Sequence, residues 1–342
     1  MNDPYDAVLL VSFGGPEGPD EVMPFLENVV RGRNVPRERL LEVAEHYQLF
    51  GGRSPINAQN RALLAALNGE LREHDIQTPI YWGNRNWHPM LADTIRQMRD
   101  DGAERVLAFV TSAFGSYSSC RQYLDDIDRA RDEVGPEAPK IDKLRTFFNH
   151  PGFIDPMVDH LNQAIAPIPE GRRDEVVLLF TAHSIPLTMA AAGPYEAQLE
   201  ESCRLVAERM GRDQWQLVYQ SRSGPPSQPW LAPDVLEALP FLAREKAGAD
   251  VCLVPIGFVS DHMEVVFDLD TEARQLADSL GLNLVRAATV GTHPRFITMI
   301  RELIEERINP SRPRLALGTM GPSCDHCDPA CCIAAGKEEQ DA

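Results

Sequence analysis

No apolar run in this chain approaches the ~18 residues that a membrane-spanning helix needs. The first residues, MNDPYDAVLLVSFGG, carry acids and only a short apolar stretch from Ala7 to Phe13, so a basic signal-peptide start is lacking too. Positive charge is scarce: 33 Lys and Arg face 51 Asp and Glu, a net charge of −18. That balance makes nucleic acid and anionic membrane surfaces poor partners. The fingerprints G-x-G-x-x-G and G-x-x-x-x-G-K-[S/T] are both missing, which argues against dinucleotide-dependent redox and P-loop chemistry. Body cysteines are few and isolated, at Cys120, Cys203 and Cys252. A soluble, cytoplasmic protein is expected, in which thiols bind metal more readily than they form structural disulfides.

With 342 residues and 43% hydrophobic content, the chain can build two domains with cores of their own. Short apolar runs rich in branched side chains alternate with amphipathic stretches, which is the pattern of a parallel sheet wrapped by helices. Strands are expected at Ala7 to Phe13, Pro79 to Gly83, Arg105 to Thr111, Glu175 to Thr181, Gln216 to Gln220, Asp250 to Phe258 and Leu282 to Ala287. Helices are expected between them at Ala58 to Glu73, Met90 to Asp101, Cys120 to Val134, Pro194 to Met210 and Val235 to Ala247. Residues 1–150 and 151–314 would then be two architecturally similar α/β halves without evident sequence repetition. Residues 315–342 form a cysteine-bearing tail.

The most unusual stretch is GFVSDHMEVVFDLDTE, Gly257 to Glu272, where Glu264, Asp268 and Glu272 recur four residues apart with no Lys or Arg between Val251 and Arg274. On one helix that spacing aligns three carboxylates on a single face. Because the stretch follows a strand-like run, the acids fall where open α/β sheets place their ligands, so handling of cations or protons is favoured over a merely solvated face. His183, in TAHSIP, also follows a strand and offers an imidazole suited to proton or metal chemistry. The glycine turn GGPEGPDEV after the first strand is no phosphate cradle. It reads as a tight turn or a close approach to a flat ligand. Arg31 and Arg33 are isolated cations that would suit substrate carboxylates if they line a cleft. GNRNWHP and SAFGSYSSCRQY add further polar and aromatic groups after the second and third strands.

Taken together, LLVSFGGPEGPDEV, HYQLFGGRSPI, GNRNWHP, TAHSIP, YQSRSGPPSQPWLAPDV and GFVSDHMEVVFDLDTE resemble the ferrochelatases, which insert ferrous iron into a porphyrin. The resemblance runs over roughly residues 5 to 310 and implies two Rossmann-like domains clasping a porphyrin cleft. It implies that His183 and Glu264 are catalytic and meet the iron, that Asp268 and Glu272 form an acidic relay, and that Arg31 binds porphyrin propionates, with Ser54 and Tyr123 as further porphyrin-binding candidates. Phe13 stands where related bacterial enzymes often carry Tyr, so it can pack on the macrocycle but offers no axial oxygen. The motif style resembles the coproporphyrin-using branch, which implies coproporphyrin III as substrate, with protoporphyrin IX as the alternative. A cobalt chelatase and a non-catalytic porphyrin-binding sensor are competing readings. A monomer or weak dimer is expected.

Cys324, Cys327, Cys331 and Cys332 crowd into nine residues of the tail, a spacing that suits zinc or an iron–sulfur cluster. Many ferrochelatases carry a [2Fe–2S] cluster held by three tail cysteines and one internal cysteine. In the matching stretch HPGFIDPMVDHL, Pro156 occupies the internal position. Either all four tail thiols serve, or a body cysteine replaces one of them.

Overall fold

The computed structural model describes residues 5–33, 35–225, 227–326, 331 and 332. The first half contains β1 (Ala7–Ser12), α1 (Val22–Val29), α2 (Arg37–Gln48), α3 (Ile56–Glu73), β2 (Ile80–Asn84), α4 (Leu91–Asp100), β3 (Arg105–Val110), α5 (Gln122–Val134) and β4 (Lys140–Lys143). The second half contains α6 (Pro151–Ile165), α7 (Glu170–Arg173), β5 (Val177–His183), α8 (Leu187–Ala191), α9 (Tyr195–Arg209) and β6 (Trp215–Gln220). It continues through α10 (Val235–Glu245), β7 (Asp250–Val254), α11 (Met263–Phe267), α12 (Arg274–Ser279), β8 (Asn283–Arg286) and α13 (Pro294–Ile308).

Each half builds a four-stranded, all-parallel sheet, in the orders β2-β1-β3-β4 and β6-β5-β7-β8. The same topology therefore occurs twice, as the alternation of runs and amphipathic stretches predicts. Every residue of β1 and β7 is buried, because helices cover both faces of a parallel sheet. In each sheet the strand order reverses between the first strand and its two neighbours, β1 in one half and β5 in the other. Such switch points open a crevice beyond the strands' carboxyl ends, where ligands bind.

Three local readings differ from the structure. β4 was not anticipated, since KIDK at a sheet edge has no apolar run to mark it. β7 ends at Val254 rather than Phe258, because Pro255 has no N–H to donate and Gly257 turns the chain against β5, where an added Cβ would lie 2.7 Å from Ala182 Cα. The acid-bearing stretch is not one α-helix either. α11 gives way to a π-helical turn at Asp268–Ala273 before α12 begins, so Asp268 and Glu272 lie on a wider spiral than Glu264.

One large apolar core joins residues of both halves, including Leu10 and Phe109 from the first sheet and Phe180 and Val254 from the second. α13 packs against α6 and α3, and Arg301 reaches Glu70 of α3 at 2.9 Å. After α13 the chain runs back over the first half. There the buried Arg145 holds Glu306 at 2.5 Å and Leu315 O at 2.9 Å, while Asn149 Nδ2 donates to Leu317 O and Gly321 O. None of the helices among the described residues is long and apolar enough to cross a membrane.

Candidate active site

The crevice of the second sheet brings His183 and Glu264 together. His183 is the last residue of β5, in register with Gln220 on β6, and Glu264 is on the first turn of α11. Their Nε2 and Oε1 atoms are 3.5 Å apart. His183 Nδ1 donates to Ser184 O at 2.5 Å, which turns Nε2 toward the carboxylate, and Tyr195 Oη donates to His183 O at 3.0 Å. Ser184 is fixed in turn, through its N–H to Gln220 O and its hydroxyl to Leu231 O. The imidazole is 33% exposed and the carboxylate 46%, so both remain reachable from the crevice.

Electrostatics couples the pair. Burial disfavours charge on His183, but the Glu264 carboxylate outweighs it and raises the imidazole to about 9. Burial likewise opposes charge on Glu264, and the His183 cation overcomes it, holding the carboxyl down at about 2. At neutral pH the two therefore form an ion pair. His262 caps α11 by accepting from the Glu264 N–H, and burial keeps its own value below the ordinary imidazole range despite the nearby carboxylate.

Behind this pair stands Asp268. It accepts hydrogen bonds from the Ser221 hydroxyl and from Gln220 Nε2, and Gln220 Nε2 also donates to Glu264 O at 2.7 Å. Burial, followed by the charges of Glu264 and Glu272, outweighs those bonds and pushes Asp268 up to about 7. Glu272 is also raised, chiefly by burial. Glu264 is thus held below the ordinary carboxyl range while Asp268 and Glu272 are pushed above it.

The other candidates are placed less uniformly. Phe13, just past β1, is half-buried, edge-on to Phe25 and beneath the Arg85 guanidinium at 5.8 Å. Arg31 and Arg33 are exposed in the turn after α1. Ser54 is 7% exposed and sits under Gly15, where an added Cβ would come within 2.7 Å of it. Tyr123 is 6% exposed, with Arg85 over its ring at 4.4 Å, and Arg85 is itself paired with Asp126. The turn after β1 does make a close approach, but to the chain itself: Gly14 has φ +81°, and an added Cβ would lie 2.8 Å from Asn84 Cβ. The halves also meet across the crevice, where His46 of α2 stacks on Phe267 of α11 at 3.8 Å between ring centroids. The sequence reading missed Tyr195, Gln220, Ser221 and His262. The last three lie inside the quoted motifs, yet nothing in their spacing marks them as partners of residues on other strands.

A family model for ferrochelatases matches residues 5–308. The chain belongs to the ferrochelatase family. It is an enzyme that inserts iron into a porphyrin. It is 58% identical over 330 residues to the ferrochelatase of Rhodopirellula baltica, covering 96% of this chain and 94% of that protein. Identity to the coproporphyrin III ferrochelatase of Streptomyces coelicolor is 53% over 354 residues, covering 97% and 94%. Among solved structures, SirB from Bacillus subtilis with Fe3+ aligns with a TM-score of 0.54 at 14% identity, over 88% of this chain and 96% of that one. DR2241 from Deinococcus radiodurans aligns with a TM-score of 0.52 at 16% identity, over 88% and 55%. At such identities these two speak for the shared chelatase fold alone.

Among the described residues, no three His, Cys, Asp or Glu side chains converge closely enough to hold an ion outright. Of the four tail cysteines, Cys324 is exposed and Cys327 lies outside the described residues. Cys331 and Cys332 have their sulfurs 3.6 Å apart, close to the roughly 3.8 Å edge of a thiolate tetrahedron around a metal bonded at ~2.3 Å. That pair therefore fits a thiolate-bound group.

Proposed function

We propose that the enzyme inserts ferrous iron into coproporphyrin III, with His183 and Glu264 as its catalytic pair. The observation that carries the catalytic reading is the 3.5 Å approach of His183 Nε2 to Glu264 Oε1 at the sheet's switch point. Metallation must deliver iron to the ring nitrogens and take two protons from the pyrroles. Iron arriving beside Glu264 neutralises the field that keeps His183 charged, so the imidazole gives up its proton and frees Nε2 to meet the metal or a pyrrole N–H. Asp268, poised near 7, accepts protons at neutral pH, and Glu272 continues the path outward. Phe13 packs against the macrocycle, Arg31 pairs with a propionate, and Ser54 and Tyr123 support the porphyrin-facing wall.

Coproporphyrin III as substrate is supported by relatives of that name at 48–53% identity over most of the chain. A paired assay of Fe2+ insertion into coproporphyrin III and protoporphyrin IX tests this choice. Faster turnover of coproporphyrin III is expected, and equal or reversed rates would overturn it. Loss of insertion by His183→Ala in the same assay tests the catalytic pair.

The tail is assigned a [2Fe–2S] cluster, for which the Cys331–Cys332 spacing is the structural support. The cluster would supply an electron-transfer or sensing group outside the porphyrin cleft. We place the enzyme in the cytoplasm as a monomer or weak dimer. The exposed large apolar side chains among the described residues, Leu41 and Leu49 of α2 and its C-cap, Leu187 of α8, Phe241 of α10 and Met320 of the tail, are spread over four segments and favour that state.

A further inference from the structure

The geometry points to Gln220 as a positioning residue for iron insertion, one that fixes Glu264 and Asp268 relative to each other and to His183. This inference rests on the catalytic pair and relay proposed above and names what holds them in place.

Gln220 is the last residue of β6, 1% exposed, and lies in register with His183 on β5. Residues in register share a face of the sheet, so the amide extends on the imidazole's own side. Its Nε2 donates to Glu264 O at 2.7 Å and to Asp268 Oδ2 at 3.4 Å. A backbone carbonyl can only accept, which places the nitrogen, and not the oxygen, on that side of the amide. The residue's own carbonyl works in the other direction. It accepts the Ser184 N–H at 2.8 Å, and Ser184 O in turn receives His183 Nδ1. One residue thus supports all three groups.

Local winding explains why a side chain is needed there. In an unbroken α-helix the Asp268 N–H would bond to Glu264 O, four residues back. Here it bonds to Val265 O, where α11 gives way to the π-helical turn. Gln220 Nε2 supplies a donor to Glu264 O and so bridges the break that separates the two carboxyls. The next residue, Ser221, has φ +62°, a left-handed conformation that costs a non-glycine residue free energy. Its hydroxyl donates to the same Asp268 oxygen.

The amide's other end speaks against a packing role. Gln220 Oε1 is buried and has no hydrogen-bond partner among the described residues. An orphaned interior acceptor is costly, and a methionine or leucine would fill the volume without it. The N–H of the amide is what the position uses.

The test compares full-length wild type with Gln220→Met, Gln220→Asn, Val218→Ala and His183→Ala. Met keeps the length and loses the donor, and Asn keeps the donor but withdraws it by one methylene. Val218, two residues earlier on the same face of β6, is buried in the apolar cluster shared with Val265 and Leu269, so its truncation reports a purely structural loss. Thermal unfolding checks that each variant folds, and kcat and KM are measured with whichever of coproporphyrin III and protoporphyrin IX turns over faster. In Gln220→Met, kcat is expected to fall roughly ten- to a hundredfold, the scale of a small misplacement of reacting groups. Porphyrin KM should stay within about twofold, the split that marks an interaction made only in the transition state. Gln220→Asn should show the same split more weakly, while Val218→Ala lowers the unfolding midpoint and keeps kcat. Wild-type kcat in folded Gln220→Met, or a loss matched by an equally destabilised Val218→Ala, would overturn the inference, and an inactive His183→Ala would then leave the catalytic pair standing. If Gln220→Met does not fold, Gln220→Asn decides in the same way. Wild-type insertion by His183→Ala would overturn both the pair and the inference.

Discussion

Replacing Asp268 by Asn should make the enzyme more stable and less active, and the pH dependence of the gain identifies its cause. In the folded protein Asp268 titrates near 7 instead of its ordinary 3.8, because burial and the Glu264 and Glu272 charges outweigh the Ser221 hydrogen bond. Below pH 3.8 the carboxyl is protonated in both folded and unfolded chains, so it costs nothing. Between 3.8 and 7 the unfolded chain releases its proton first, and stability falls as pH rises. Above 7 both states are ionised and the full penalty stands. At about 1.4 kcal/mol per pH unit the displacement corresponds to ~4 kcal/mol, and partial solvent access lowers this to roughly 2 kcal/mol. In a chain of this length that is a rise of roughly 3 °C in Tm. Asn keeps the shape and an acceptor for the Ser221 hydroxyl but cannot ionise. Thermal unfolding of metal-free, porphyrin-free wild type and Asp268→Asn should therefore diverge as pH rises above 3.8, with the gap levelling off just above neutrality. Iron insertion by the variant should fall, since the relay loses its proton acceptor. A constant gap at every pH, or none, would refute the assignment of a raised carboxyl at this position.

Two further outcomes test the site's construction. Glu264→Gln removes the charge that raises His183, whose extra stabilisation is present below pH 6.5 and lost as pH rises through about 9. In the variant, burial opposed only by the Ser184 carbonyl and the Asp268 charge should bring the imidazole titration, followed by NMR, well below 9, and a midpoint staying near 9 would assign the shift to another group. Gly257→Ala forces a methyl to within 2.7 Å of Ala182, directly before His183. Overpacking of this kind costs about 1–3 kcal/mol, so the urea midpoint should drop together with activity, and a variant as stable as wild type would show that the β5 turn relaxes freely.

Much of the fold is legible in the sequence because it is written in local periodicity. VCLV and AVLLV are buried on both faces, so they are apolar at every position. β4 escaped because an edge strand needs no apolar code. β7 was read four residues too long because VCLVPIGF stays apolar through a turn that only Pro255 and Gly257 betray.

By itself the sequence determined that the chain is an acidic α/β protein of two like halves, with an imidazole and a row of carboxylates placed after strands. Those features follow from composition, periodicity and motif order, which act along the chain. Tertiary structure alone decided that His183 and Glu264, 81 residues apart in number, meet at one switch point. It also decided that Glu264 is held down while Asp268 and Glu272 are pushed up. The physical reason is the same in each case. Coulomb coupling and desolvation depend on distance through space, and the seating of α11 and the turn after it against the carboxyl ends of β5 and β6 sets those distances.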